Sequence, residues 1–348
     1  MYLDFWTIVL DFNNNIFKVL DQKLLPFREV YIELKNKQDV YKVIKDMNVR
    51  GAPLIGVVAL LGIYIEAINN SISSYESLLE LMNYLQNARP TAVNIFNYFS
   101  NLKQILSSIR LSDYKQIIKD FLVKVILDEK DKNDKIAKNG YNLIRDIFRN
   151  KKSLKILTHC NTGSLATIGL GTALGIIKYL KNYYEIFVWV DETRPYLQGS
   201  RLTALELEKE GINFKIIPDS AAAFVMYNNE VDFVIVGADR VALNGDTANK
   251  IGTLNLAVLS YNFNIPFIVA LPESSIDYSL NNLQNFKVEL RDSLELLSFN
   301  YNNTFVNITK GSYPTFNPAF DITPAKYIDY IITDKNIYKI KGKAIISA

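Results

Sequence analysis

Cysteine and histidine occur once each, as the neighbours His159 and Cys160. A lone cysteine excludes an internal disulfide framework and every multi-cysteine zinc site, and a lone histidine removes histidine-rich metal centres. Long apolar runs are also missing. The longest, Leu54 to Ile65, covers 12 residues, where a membrane-crossing helix needs about 20, so it reads as a core helix and no membrane association is expected. An excess of one charge is missing too. Lys and Arg number 39 against 36 Asp and Glu, with no concentrated basic face, so no nucleic-acid partner is expected. The longest charge cluster, Glu129-Lys130-Asp131-Lys132-Asn133-Asp134-Lys135, mixes signs and reads as a solvated helix surface. The opening residues, Met1-Tyr2-Leu3-Asp4-Phe5, lack the basic region and apolar core of a secretion leader. The expected location is the cytoplasm.

What the chain does contain is core material: 49% apolar and 22% charged residues over 348 positions. That length predicts two domains or one large one. Short strands are predicted at Thr7–Leu10, Ile16–Leu20 and Glu29–Ile32, with Asn13-Asn14-Asn15 as a hairpin turn. Helical spacing then dominates from about Gln38 to Phe148, as in Val40, Val43, Ile44 and Met47. Pro53 and Pro90 sit where helices would begin. Beyond this the pattern changes. Leu154–Thr158, Ile186–Val190, Phe214–Ile217, Phe233–Val236, Phe267–Ala270 and Ile328–Thr333 are short apolar runs, most of them separated by helical stretches. This alternation predicts α/β architecture with a doubly wound, Rossmann-like parallel sheet over residues 129–348. A smaller, mainly helical domain with short strands is expected over residues 1–128.

Ligands of open α/β sheets bind outside the carboxyl ends of the strands. The residues there are His159-Cys160-Asn161-Thr162-Gly163, then Asp191-Glu192-Thr193-Arg194 with Gln198 and Gly199, then Gly237-Ala238-Asp239-Arg240, then Pro272-Glu273-Ser274-Ser275. A lone cysteine is ordinarily a small buried hydrophobe, but a strand-end place before Asn-Thr-Gly favours a functional role. Adjacent strand residues point to opposite faces. His159 is therefore expected not to pair with Cys160 and reads as a satisfied core or supporting group. Asp239 reads either as a cap or as a functional carboxylate. The stretch Gly163–Gly175 is expected to be a helix whose start could hold an anion. Its interior glycines, Gly169, Gly171 and Gly175, then call for close approach of another backbone.

These residues resemble the methylthioribose-1-phosphate isomerase family of methionine salvage, over almost the whole chain. The matching stretches are Leu20-Asp21-Gln22 with Leu25-Pro26, Val49-Arg50-Gly51-Ala52-Pro53, Arg89-Pro90-Thr91-Ala92-Val93-Asn94, Cys160-Asn161-Thr162-Gly163, Glu192-Thr193-Arg194-Pro195, Val236-Gly237-Ala238-Asp239-Arg240, Ala248-Asn249-Lys250-Ile251-Gly252-Thr253 and Asn317-Pro318-Ala319-Phe320-Asp321-Ile322-Thr323-Pro324. From Asp277 to Ser312 the match is loose. The resemblance implies Cys160 and Asp239 as the catalytic pair. It implies substrate contacts from Arg50, Gly51, Ala52, Arg89, Gln198, Asn249 and Lys250, in a cleft between the domains. It further implies a small phosphosugar substrate, no cofactor, no metal and a homodimer. Two relatives with the same fold are the alternatives: ribose-1,5-bisphosphate isomerase, and the non-catalytic regulatory subunits of translation initiation factor 2B.

Overall fold

The computed structural model describes residues 1–90, 92–301, 304–311 and 313–340; Thr91 of the Arg89–Asn94 stretch and Ser312 lie outside these. The chain forms two compact units, Met1–Asp131 with Ser164–Gly169, and Lys132–Gly163 with Leu170–Ala348. Among the described residues no helix is long and apolar enough to cross a membrane.

The first unit opens with β1 (Tyr2–Phe5), β2 (Ile8–Asp11), β3 (Ile16–Leu20) and β4 (Tyr31–Glu33), an antiparallel sheet in sequence order. The Asn-rich hairpin is borne out: the Asp11 carboxylate accepts the amides of Asn13 (3.0 Å) and Asn14 (3.2 Å), and Asn15 takes a left-handed φ of 54°. Four helices follow: α1 (Lys37–Lys45), α2 (Ala52–Ile68), α3 (Tyr75–Gln86) and α4 (Val93–Leu106). Asn36 caps α1 through the Asp39 amide, and Ser74 with Ser77 forms a capping box on α3. Every residue of α2 from Leu54 to Ala67 is buried, which is why its sequence is apolar all round. Pro53 sits in its first turn as expected. Pro90 does not open a helix; α4 begins three residues later behind Ala92. The long helix α5 (Tyr114–Ile147) carries the boundary between Asp131 and Lys132 within it.

The second unit is built on seven strands: β5 (Ser153–Thr158), β6 (Glu185–Asp191), β7 (Asn213–Ile217), β8 (Phe233–Val236), β11 (Phe267–Ala270), β16 (Tyr330–Ile332) and β17 (Ile337–Lys339). Their order is β17-β16-β11-β8-β5-β6-β7, parallel throughout except for the antiparallel edge strand β17. Successive side chains go to opposite faces. Ile156, Phe233 and Ile235 join one core with Ile176, Ile177 and Leu207, from α6 (Ala173–Leu180) and α7 (Ala204–Lys209). Leu157, Val234 and Val236 join another with Val225 and Leu256, from α8 (Ala222–Tyr227) and α9 (Thr253–Phe263). Burial on both faces is what makes these strands continuous apolar runs. A second sheet, in the order β12-β9-β10-β15, combines β9 (Arg240–Ala242), β10 (Thr247–Lys250), β12 (Ile276–Asp277) and β15 (Phe320–Thr323). The loosely matched segment adds α10 (Leu294–Leu297) and a hairpin of β13 (Ser298–Tyr301) and β14 (Thr304–Asn307). It is tied to the strand-end edge by Arg194, whose guanidinium lies 4.9 Å over the Phe299 ring.

The stretch after Cys160 departs from expectation. It is not a helix: α6 begins only at Ala173, with Thr172 before it. Gly169 and Gly171 have φ near +97° and +96°, a conformation no helix contains. The Thr172 amide donates to the Thr162 carbonyl at 2.8 Å, and Gly163 bridges Gly171. Residues between them form a loop pinched at its neck, where a Cβ on Gly171 would overlap the Gly163 backbone. Close backbone approach thus explains Gly171, and the positive φ explains Gly169. The stretch directly after Cys160 therefore supplies no helix start to hold an anion.

Candidate active site

Parallel pairing sets β5 beside β8 with Thr158 opposite Ile235, and the Thr158 hydroxyl extends the contact by donating to the Ile235 carbonyl (2.8 Å). Cys160 and Gly237 each lie two residues further on. The methyl of Thr162 occupies the space a Gly237 side chain would fill. The fold therefore brings the Cys160 turn against the segment that leads into Asp239.

Cys160 is buried and left-handed, with φ of 62°. Without glycine such a backbone costs about 1–3 kcal/mol and persists only where its surroundings fix it. Here the fixing groups are two threonines. The Cys160 amide donates to Thr193 Oγ1 (2.8 Å), and the Thr203 hydroxyl donates to the Cys160 carbonyl (2.6 Å). Thr193 and Leu197, after β6, are left-handed as well, with φ of 63° and 61°. Three non-glycine residues in this region, one of them β-branched, mark the edge where β5 and β6 end as strained.

The turn is also held from below. Asn161 donates to Glu206 Oε1 (2.8 Å), and Lys178 Nζ meets Glu206 Oε2 at 2.7 Å. Lys178 is 5% exposed and Glu206 is fully buried. A buried ion pair of this kind is expensive to break from one side, about 3–5 kcal/mol. We therefore expect Lys178→Met to lose that much stability in denaturant unfolding. Lys178→Met with Glu206→Gln, which removes both charges and keeps an acceptor for Asn161, should recover most of it. A single variant within about 1 kcal/mol of wild type would contradict this.

Asp239 is exposed, so no apolar burial surrounds it. Its amide donates to the Ala248 carbonyl (3.0 Å), while the neighbouring Arg240 pairs with Asp277 (3.0 Å). Gln198 is buried, and among the described residues its carbonyl oxygen accepts no hydrogen bond. Asn249 is buried and donates to Thr253 Oγ1 (2.9 Å). Lys250 is half-buried; its ammonium donates to the Ala319 carbonyl (3.0 Å) and lies 4.6 Å over the Phe320 ring. All of these belong to the second unit. In the first unit, Arg50 is buried and Arg89 half-buried. Gly51 has φ of 82°, and α2 starts at Ala52 with no side chain capping it.

His159 does not pair with Cys160. The reason differs from the expected alternation along a strand, because β5 ends at Thr158 and Cys160 turns left-handed. The imidazole is 1% exposed and lies between Asp191 Oδ2 (2.9 Å) and the Ile251 carbonyl (2.8 Å). Burial alone would lower its pKa, but the Asp191 bond and charge, with Asp219 and the Ile251 carbonyl, carry it above the ordinary value. Burial raises Asp191 to about 6 against the opposing pull of His159. Asp321 is likewise raised to about 6 by burial, although the amides of Gly252 and Leu254 donate to it. Sequence reading missed Thr203, Glu206, Lys178 and Asp219. The available signal was the one charge inside the otherwise apolar stretch Ala173–Leu180, at Lys178.

Residues 48–339 match the model of the initiation factor 2 subunit family. The chain is 45% identical to the methylthioribose-1-phosphate isomerase of Caldicellulosiruptor saccharolyticus, across 96% of this chain and 99% of that one. It is 44% identical to the protein of the same name from Caenorhabditis elegans, across 93% and 88%. Among solved structures, it superposes on 5-methylthioribose 1-phosphate isomerase from Pyrococcus horikoshii OT3 with a TM-score of 0.86, at 36% identity over 97% of this chain and 94% of that one. It also superposes on the translation initiation factor eIF-2B subunit delta from A. fulgidus with a TM-score of 0.83, at 32% identity over 97% and 96%.

Proposed function

We propose, since this chain belongs to the methylthioribose-1-phosphate isomerases within the initiation factor 2 subunit family, that it converts 5-methylthioribose 1-phosphate to 5-methylthioribulose 1-phosphate. The observation that carries the reading is the strained Cys160 turn, packed through Thr162 against the strand end that leads to Asp239.

The chemistry asks for what these groups offer. A sugar phosphorylated on its anomeric carbon cannot open to a free aldehyde. The ring oxygen must gain a proton as the C1–O bond opens. Hydrogen must then pass from C2 to C1, and the C2 hydroxyl must release its proton to become the carbonyl. An acid and a base are needed, with water kept away. Cys160 and Asp239 are assigned these proton transfers. Asp239 is exposed, so the bound sugar itself has to keep water away from it. Gln198, Asn249 and Lys250 are assigned contacts to the sugar and its phosphate, with Arg50, Gly51, Ala52 and Arg89 completing the set. Arginine geometry suits a phosphate dianion. The homodimer implied by the resemblance belongs to the same proposal and is checked by mass in solution.

The deciding assay follows ketose formation from 5-methylthioribose 1-phosphate by the purified chain. Faster turnover of ribose 1,5-bisphosphate would move the assignment to that sugar. Inactivity on both would favour a regulatory subunit. With deuterium at C2, a proton relay through Cys160 predicts at least partial loss of label to solvent. Complete retention over many turnovers would assign the step to hydride transfer instead.

A further inference from the structure

His159 has no part in the chemistry above, yet its ring is built into the site from two sides. The Ile251 carbonyl can only accept, so the Nε2 atom 2.8 Å away carries a proton. The Nδ1 contact with Asp191, at 2.9 Å, holds a further proton whichever atom bears it. From Asp191 a chain of bonds returns to the cysteine. The Asp191 carbonyl accepts the Thr193 hydroxyl (3.0 Å), and Thr193 Oγ1 accepts the Cys160 amide (2.8 Å). His159, Asp191, Thr193 and Cys160 thus form a closed ring of covalent and hydrogen bonds.

The other side of the imidazole reaches the end of β10. Ile251 follows Asn249 and Lys250, and its amide donates to the Ala319 carbonyl, which also accepts the Lys250 ammonium. Gly252 lies flat against the ring: a Cβ there would stand 2.8 Å from Cε1. Asp219, with both carboxylate oxygens on the amides of Thr193 and Arg194, and Asp321, on the amides of Gly252 and Leu254, are the other charged groups around it.

We propose that His159 is a positioning residue: by bridging Asp191 and the Ile251 carbonyl, it locks the Cys160 turn to the Asn249–Lys250 strand. The thiol and the side chains that hold the phosphosugar then keep one geometry. This rests on the functional reading above. A misplacement of about 1 Å in such a site costs roughly 10²-fold in rate. A histidine present only to fill the core would lower stability when replaced and leave the kinetics of the folded protein alone.

Because the chain has one histidine, selective ¹⁵N-histidine labelling reports this ring and nothing else. The bridged imidazole should show slowly exchanging N–H protons, and its signals should shift when the site is saturated with the substrate and product mixture. His159→Gln should fold, lose about 10²-fold in kcat and show a raised KM. Asp191→Asn can still donate to Nδ1 of a neutral ring, so it should retain more activity than His159→Gln. Imidazole signals unmoved by saturation would overturn the proposal, as would a folded His159→Gln with wild-type kcat and KM. If His159→Gln does not fold, the wild-type signals and Asp191→Asn decide. A wild type inactive on 5-methylthioribose 1-phosphate would remove the functional reading itself, and the proposal with it. An active wild type with kinetically silent variants would remove the proposal alone.

Discussion

Cys160→Ser and Asp239→Asn are each expected to lose about 10³-fold or more in kcat while the protein remains folded. Proton transfer by a positioned side chain contributes about 10²–10⁴-fold, and the route assigned here uses both groups. Serine preserves the size of the side chain, and the amide and carbonyl bonds that hold the turn belong to the backbone. What it lacks is a thiol, whose proton is intrinsically far more acidic than that of a hydroxyl. Asparagine at 239 likewise preserves shape, and the bond to the Ala248 carbonyl comes from the main chain. Asp239 is exposed, so the variant should stay folded. The measurements are ketose formation under saturating sugar and thermal unfolding. Activity within about tenfold of wild type in either variant would end the assignment of that residue.

Gly51→Ala should be strongly destabilising, although it adds a single methyl group. Gly51 has φ of +82°, and an added Cβ would overlap the Ala166 carbonyl oxygen. Nor can Ala166 retreat easily, because the preceding carbonyl, Leu165, is held by the Gln22 amide at 2.7 Å. Strain and overlap together should cost more than about 3 kcal/mol. Gly211→Ala separates the two causes, since Gly211 has φ of +63° with no atom near its would-be Cβ. It should cost only about 1 kcal/mol. Unfolding midpoints of the two variants give the comparison. Equal losses would show that the contact with Ala166 carries no weight.

Much of this molecule is legible in its sequence. Phe233–Val236 and Phe267–Ala270 are strands to the residue, because burial on both faces demands uninterrupted apolar runs. That sheet also puts Cys160 and Asp239 at neighbouring strand ends, although they are 79 positions apart. Other features left no mark. Cys160, Thr193 and Leu197 are left-handed without being glycine, and tertiary hydrogen bonds rather than residue type impose that conformation. The strands of the second sheet are four residues or fewer, too short for a period to show. The loop after Gly163 passes for a helix because Leu165 and Ile168 fall at helical spacing. Only its glycines, by their conformation and not their number, say otherwise.

That loop has a consequence for how the chain can be made and cut. Residues Ser164–Gly169 complete the first unit, with Leu165 bonded to Gln22 and Ala166 against Gly51. A fragment ending at Asp131 therefore lacks part of its own interior. On the ribosome, the first unit has to wait for some forty further residues, and for the β5 strand, before its last piece is synthesised. Folding of the amino-terminal half is in this sense not vectorial: its final step comes after the cysteine turn has been translated.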